Sequence, residues 1–277
     1  MAGDSFRSLG LVRPGKTLTA AMVLLAALWL MFAIAINWGG ASEDLFLLFC
    51  GNTERILHGE VWRLLTAPLM HLPSGTITHI VWSLLGLLFL APTLEQHWGS
   101  ARMLRFLVFS GLIAYGFQMI CQLVLPASIS GRLVGEYWFG AVPILEAIAV
   151  AWALSFRGQT VRLFLMIPVT STMMIGFIFA TSVLMVVAAA PGPEGLLSPF
   201  GGMFAGWLLG GSTPSPLRKF YLRLKLARLD NEVARGARAS SSRKKASSLR
   251  VIEGGNKGRP SQNRENDDEG PGGHVLH

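Results

Sequence analysis

The chain has 277 residues, of which 51% are hydrophobic and only 14% are charged, and its formal net charge is +8. So few charges over this length are rare in soluble proteins, which places the chain in the membrane class. Cys50 and Cys121 are the two cysteines. One lies in a predicted loop and one in an apolar stretch, so we expect free thiols rather than a disulfide framework.

Six apolar stretches follow one another along the chain. A helix needs about 20 residues to cross the hydrocarbon core. The first, third and fifth stretches reach that length alone, and the others are shorter, as expected for inner helices shielded by neighbours. No cleavable signal peptide is evident, so the first stretch is interpreted as a retained helix. The stretches are Thr17–Ile36, Ile77–Leu90, Met103–Leu125, Phe139–Phe156, Leu163–Ala190 and Leu196–Gly210.

Basic residues are concentrated on one predicted side of the membrane. With six spans the two chain ends share a side, and the short loops holding Arg102, Arg105, Arg157 and Arg162 fall there as well. The positive-inside rule then predicts that both termini are cytoplasmic, in a plasma or inner membrane if the protein is bacterial.

The composition changes after Gly211, where a basic tail begins. Leucines recur at helical spacing within Leu217–Val233, which favours a helix on the membrane surface. Attraction to anionic lipids is worth ~1 kcal/mol per basic residue near the surface. The lipid therefore already provides a partner for the tail, and we expect no nucleic-acid binding. The predicted segments are a cytoplasmic N-terminal segment (1–16), a membrane domain (17–211) and a basic, largely disordered cytoplasmic tail (212–277).

A long segment, Trp38–Thr76, separates the first two apolar stretches. It is too apolar for a mobile linker and too interrupted to cross a membrane, so it is interpreted as an amphipathic element at the interface. Trp62 suits the interfacial aromatic belt, and Arg63 is expected to reach lipid head groups or backbone carbonyls.

Several short motifs occur in a specific order between Glu60 and Gly210. In that order and spacing they resemble the rhomboid superfamily of intramembrane serine proteases. The fold that this resemblance implies is an all-α membrane protein, a bundle of six transmembrane helices with an interfacial first loop. The motifs are Trp62-Arg63, His79 at the head of the second stretch, Glu95-x-x-x-Gly99-Ser100, Met166-Ile167-Pro168-Val169 and Gly202-x-x-x-Gly206.

The resemblance also implies where a catalytic site would lie. Active rhomboids carry a serine in Gly-x-Ser-Gly on the fourth helix and a histidine before the glycine step of the sixth. Gly140 matches the first glycine, but Val142 falls on the serine and Pro199 on the histidine. His79 matches a residue that helps to hold the oxyanion, whereas Ser83 replaces the asparagine that accompanies it.

These replacements remove the groups that acyl transfer requires. Valine has no nucleophilic atom and proline has no side-chain base. The leading hypothesis is therefore a non-catalytic rhomboid that binds or steers transmembrane clients, with His79, Ser83, Val142 and Glu146 as groove candidates. The alternative is a divergent intramembrane serine endopeptidase that uses Ser83 or Ser198. Small-molecule transport is a third class, but no inverted repeat supports it.

Glu146 is an ionisable residue inside an apolar stretch, four residues after Val142. Such residues are functional candidates, because a charge in lipid costs a few kcal/mol. We expect its face to look toward the second and sixth helices, near His79 and Ser83. A structural role, client or ligand binding, and metal or proton chemistry all remain open. Two potential ligands are too few to predict a metal site, and no cofactor is expected.

Other histidines and glycines receive structural interpretations. His71 is expected to be structural in the first loop, and His97 to be solvated in a turn. Glycines recur every four residues from Gly202 through Gly206 to Gly210, which predicts a bare helix face for close packing.

Overall fold

The computed structural model of the chain describes residues 12–158, 160–163, 167–211 and 220–233. Over these residues the protein is mostly helical. In chain order the elements are α1 (Lys16–Asn37), α2 (Asp44–Leu47), α3 (Thr53–Leu57), α4 (Arg63–Thr66), a 3-10 turn (Ala67–Leu69), α5 (Thr78–Trp98), α6 (Ser100–Val124), α7 (Ala127–Leu133), α8 (Val142–Ser155), β1 (Thr160–Leu163), β2 (Ile167–Thr170), α9 (Ser171–Val187), α10 (Ser198–Gly210) and α11 (220–233).

Six of these helices coincide in order with the six predicted apolar stretches: α1, α5, α6, α8, α9 and α10. By length and composition, α1, α5 and α6 are long and apolar enough to cross a membrane. The helices α8 and α9 are shorter apolar helices, and α10 has 13 residues. The prediction of a helical membrane protein is confirmed at this level.

The fifth apolar stretch was predicted to span Leu163–Ala190. The corresponding helix, α9, begins only at Ser171, so the predicted start is wrong. Before Ser171, the strands Thr160–Leu163 and Ile167–Thr170 pair antiparallel, with Leu163 opposite Ile167. Pro168 has no backbone N–H and biases the preceding residue away from helix. Thr170 then caps α9, because its side chain accepts a hydrogen bond from the Met173 amide at 3.3 Å. The all-α prediction holds for the mostly helical described residues, and these two four-residue strands are an exception that it did not include.

The second and fourth stretches also differ from their predicted bounds. The helix α5 continues through Pro92 to Trp98, eight residues beyond the predicted end at Leu90. Polar residues in these last turns hid the helix from a hydropathy reading. Gly99 ends it with a φ of 80°, a conformation that favours glycine. The helix α8 begins at Val142, later than predicted, with a proline in its first turn.

A buried carboxylate ties α1, α5 and α6 together at one end. Glu95 accepts hydrogen bonds from the backbone N–H groups of Gly15 at 2.8 Å and Thr17 at 2.9 Å. The hydroxyl of Ser100 donates to the same carboxylate at 3.1 Å. An acidic group suits the N-terminus of α1, where unpaired N–H groups and the helix dipole favour negative charge.

The glycine face of α10 packs directly on α8. A Cβ atom on Gly202 would lie 2.1 Å from the carbonyl oxygen of Pro143, and one on Gly206 would lie 2.4 Å from that of Ala147. No larger residue fits at this separation, so the two backbones approach as closely as small residues permit. This contact fixes α10 against the start of α8.

The segment between α1 and α5 is a folded cap rather than a linker. Arg63 is buried, pairs with Glu60 and donates to the carbonyl oxygens of Leu47 and Cys50, the latter at 2.7 Å. Arg63 was predicted to reach lipid head groups or backbone carbonyls, and in the structure it binds backbone carbonyls. Trp62 is exposed. Burial raises the pKa of the Cys50 thiol to about 12. Both cysteines are free, as predicted.

The chain divides into two compact units, Met1–Arg223 and Leu224–His277. All of the elements from α1 to α10 lie in the first unit. Residues 220–233 are helical, within the helix predicted over Leu217–Val233. The rest of the predicted tail lies outside the described residues.

Candidate functional site

The candidate site is built around Gly140, just before α8. Its amide donates to the carbonyl oxygen of Ala67 at 3.0 Å, and its own carbonyl accepts from the buried Tyr115 hydroxyl at 2.8 Å. Its φ is 126°, a value that L side chains rarely adopt. The first loop and α6 therefore hold the start of α8 in one position.

A histidine and a glutamate lie directly against this glycine. His79, near the start of α5, places its Nε2 2.6 Å from Oε1 of Glu194. Their side chains are only 12% and 9% exposed. A Cβ atom on Gly140 would lie 2.7 Å from Oε1 of Glu194 and 2.9 Å from Nε2 of His79. The pair fills the space that a side chain at residue 140 would need.

Glu194 comes from the loop between α9 and α10, residues 188–197, which is anchored at several points. The Phe139 amide donates to the Pro193 carbonyl at 2.9 Å, and the Leu196 amide donates to the Leu133 carbonyl at 2.8 Å. The hydroxyl of Ser198 donates to the Glu194 carbonyl at 2.9 Å. The loop thus holds the Glu194 carboxylate over the start of α8.

A second polar pair lies beside the first. His71 Nε2 and Ser83 Oγ are 2.9 Å apart, and both side chains are buried. The rings of His71 and His79 are 4.8 Å apart between centroids. Burial, and to a smaller extent the neighbouring His79, lowers the pKa of His71 to about 4. The His71 ring is therefore neutral near pH 7. We call Gly140, His79, Glu194, His71 and Ser83 the polar site.

The chemistry open to Ser83 depends on its single hydroxyl proton. Its oxygen is 3.0 Å from the carbonyl of His79 and 2.9 Å from His71 Nε2. If the proton goes to the carbonyl, His71 donates to the serine oxygen and does not activate it. If it goes to His71, the neutral ring acts as a base, the arrangement that a nucleophilic serine needs.

The two positions that match the dyad of active rhomboids hold no reactive group. Val142 is the first residue of α8 and Pro199 is the second of α10, and both are partly buried. Ser198 is fully buried, and its amide donates to the side-chain oxygen of Gln118 at 2.9 Å. Within the described residues, no histidine hydrogen-bonds to Ser198.

The structure corrects the predicted surroundings of Glu146. Its carboxylate accepts a hydrogen bond from Ser182 of α9 at 3.3 Å, and none joins it to His79 or Ser83. A step of four residues rotates a side chain by about 40° around a helix. This rotation, with α9 packed on α8, turns Glu146 away from the polar site. Its second oxygen, Oε2, is buried without a hydrogen-bond partner in the described part of the chain.

One residue of the polar site was missed from the sequence. His71 was predicted to be structural in the first loop, and the structure buries it against Ser83 and His79. Glu194 received no prediction. The available signal was a lone acidic residue in a Pro/Gly-rich loop before the sixth stretch, but its partner lies 115 positions away. His97 is exposed, as expected, but it lies in the last turn of α5 rather than in a turn between helices.

Buried apolar helices around an internal polar site define the class as a helical integral membrane protein. A family model described as "Rhomboid domain" matches residues 58–213. The chain belongs to the rhomboid family. It is also similar to the Bacillus subtilis (strain 168) protein named "Putative rhomboid protease YdcA", with 30% identity over 102 residues. That match covers 37% of this chain and 48% of the relative, so the chain spans about half of the relative's length.

Candidate metal ligands do not cluster in the described ranges. No group of three or more His, Cys, Asp or Glu side chains there is arranged to hold a metal ion.

Proposed function

We propose that this chain is a non-catalytic rhomboid that binds or steers transmembrane client proteins. The observation that carries the proposal is the His79–Glu194 pair over Gly140, at the start of the helix where active rhomboids present their serine. Val142 and Pro199, at the dyad positions, supply neither a nucleophile nor a base.

The pair also opposes the chemistry electrostatically. Acyl transfer passes through an oxyanion that donors must stabilise as it forms. In this chain the Nε2 of His79 is engaged by a carboxylate at 2.6 Å. A negative group in that place repels a developing oxyanion and occupies the donor that would otherwise face it. The polar site is thus suited to holding a loop in place and unsuited to cleaving a peptide bond.

Client binding finds support at Glu146, four residues after Val142 on α8. Glu146 is a polar residue between two apolar helices, and Oε2 has no hydrogen-bond partner among the described residues. Polar side chains inside membranes hydrogen-bond across helices with about 1 kcal/mol of stabilisation. A client helix with a polar residue at that depth would find a partner in Glu146 when α9 moves aside, because Oε2 is buried beside α9 in this structure.

Photo-crosslinking tests the proposal directly. A photoreactive amino acid replaces Val142 in the full chain, and crosslinked proteins are identified in the native membrane. Val187 of α9, which is 76% exposed, is the matched control for ordinary neighbours in the bilayer. We expect a set of transmembrane proteins that crosslink at Val142 and not at Val187. Identical adducts at the two positions would contradict client binding through this site.

The proposed topology has six spans with both termini in the cytoplasm, and it adds binding of anionic lipid by the basic tail, residues 212–277. A fluorescent protein and a periplasmic phosphatase, fused in turn to the C-terminus, test the orientation. We expect fluorescence and no phosphatase activity. Removal of the tail should weaken binding to vesicles rich in phosphatidylglycerol.

A second candidate function rests on the 2.9 Å contact between His71 and Ser83. This contact favours a divergent intramembrane serine endopeptidase with Ser83 as nucleophile and His71 as base. Purified protein in lipid would be incubated with a rhomboid model substrate and a fluorophosphonate probe. Turnover or labelling that is lost in Ser83→Ala and kept in Ser198→Ala would establish this function and overturn the non-catalytic one.

A further inference from the structure

A groove of about 490 Å³ lies between α1 and α6, and its lining extends to Ala141, the residue after Gly140. Its walls are α1 and α6, and its floor includes Leu87 of α5 and Ile144 of α8. The first loop closes one end with Leu64, Leu65 and neighbouring residues. We call this the α1–α6 groove.

The groove has two distinct ends. At one end the first loop bridges the walls, because Trp29 of α1 donates to the Leu72 carbonyl at 2.9 Å and Pro68 lies against Gly111 of α6. At the other end, where α1 and α6 both begin, the hydroxyl of Thr17 donates to the Ser100 carbonyl at 3.0 Å. Lys16 lines the groove at this second end.

The lining favours a flexible apolar occupant. It is almost entirely aliphatic, and Leu24, Leu65 and Leu104 are each about half exposed. A helix with its side chains is about 10 Å wide. A single hydrocarbon chain is narrower than a helix and fits between α1 and α6 along this lining. Because the protein is an integral membrane protein, the hydrocarbon chains of lipids surround it.

The charge at the open end selects among lipids. Four basic residues lie where α1 and α6 begin, and none has an ion-pair partner among the described residues. Arg102 stacks over the Trp98 ring, and Glu95 is the one carboxylate that the described residues place at this end, where it accepts from N–H groups and a hydroxyl. Four cations against one carboxylate leave a net positive charge there for an anionic head group. The four are Arg13, Lys16, Arg102 and Arg105.

We propose that the α1–α6 groove binds one anionic phospholipid, with an acyl chain between α1 and α6 and its head group at Lys16. The site requires neither client binding nor proteolysis. The first loop rests on the far end of the same groove, so the bound chain also fills the space beneath that loop.

Native mass spectrometry of the full chain tests the proposal, with phosphatidylglycerol and phosphatidylcholine of identical acyl chains as probes. We expect one tightly bound phosphatidylglycerol and weaker binding of phosphatidylcholine. Lys16→Gln should lower phosphatidylglycerol affinity about fivefold, the effect of one basic residue near the surface. Arg132→Gln, on the exposed side of α7, is the matched charge control and should leave the affinity unchanged.

Filling the groove tests the position of the acyl chain. Ala20→Phe on α1 and Val108→Phe on α6 should each abolish retention of both lipids, because both residues line the groove. Val23→Phe, on an exposed face of α1 outside the groove, is the control that should retain the lipid. Two groove variants guard against a folding defect in either one.

Three outcomes would overturn the proposal. The first is equal affinity for the two lipids. The second is retention of lipid by Ala20→Phe and Val108→Phe as well as by Val23→Phe. The third is a bound protein or peptide that the groove variants displace, because the occupant would then not be a lipid.

Discussion

Two glutamates flank the first turns of α8, and their surroundings differ. Glu194 is held by a 2.6 Å contact with His79 and by the anchored loop that carries it. Glu146 has one 3.3 Å hydrogen bond from Ser182, and its other oxygen has no partner within the described residues. A buried carboxylate in a short contact with a histidine fixes structure, whereas a buried carboxylate oxygen without a partner keeps the capacity to bind one. From this comparison, Glu194 holds its loop over the start of α8, and Glu146 is the residue proposed to recognise clients.

Gly140→Ala is the strongest test of the contact between His79 and Glu194 over Gly140. The backbone there has a φ of 126°, and the new Cβ would lie within 3 Å of both His79 and Glu194. Backbone strain and loss of the pair should together cost about 4 kcal/mol of unfolding free energy. Thermal unfolding in detergent measures it. Gly116→Ala is the matched control, because nothing lies within 4 Å of a Cβ there. Equal stability of the two variants would contradict the crowded geometry.

Removing the carboxylate of Glu194 should have the next largest effect. Glu194→Ala takes away the partner of His79 and should destabilise the protein by about 2.5 kcal/mol, as expected for a hydrogen bond to a charged group. It should also expose residues 188–197 to limited proteolysis. Glu194→Gln keeps an acceptor and should lose less than half as much. If Glu194→Ala is as resistant to protease as the unmodified chain, the pair does not hold the loop.

Acid should weaken the polar site through His71. Its pKa is about 4 in the fold and about 6.5 when unfolded, so the unfolded state binds the proton first as the pH falls. Stability is complete above about pH 7 and decreases between pH 6.5 and 4, with a loss of about 2 kcal/mol at pH 5. Unfolding followed against pH measures this. His71→Gln should remove that part of the pH dependence, and an unchanged profile in the variant would assign it to other groups.

The order of elements was readable from the sequence, and the pairing of side chains across them was not. Hydropathy located six helices because apolar length is a local property, yet it failed at Pro168 and at the polar end of α5. The motifs around Gly140 located the polar site. Its content depends on contacts such as His79 with Glu194, between residues 115 positions apart. Helical spacing alone predicted the wrong neighbours, His79 and Ser83, for Glu146. The position of α9, which spacing does not reveal, brings Ser182 to it instead.

The smallest effect on stability is expected for Glu146→Leu. This variant tests the role of the Glu146 oxygen that has no hydrogen-bond partner among the described residues. Leucine removes an oxygen that is buried without a partner, and Ser182 keeps its 2.9 Å hydrogen bond to the Ile178 carbonyl. The loss of the Glu146–Ser182 bond and the relief of an unpaired polar atom should nearly cancel, to within about 1 kcal/mol. Client crosslinking at Val142 should nonetheless fall several-fold, because a polar client residue loses its partner. Glu146→Gln retains hydrogen-bonding capacity and should restore most of the crosslinking. If Glu146→Leu changes neither the melting temperature nor the crosslinking, Glu146 has neither a structural nor a recognition role. Of the two glutamates, only Glu194 would then have an assigned role.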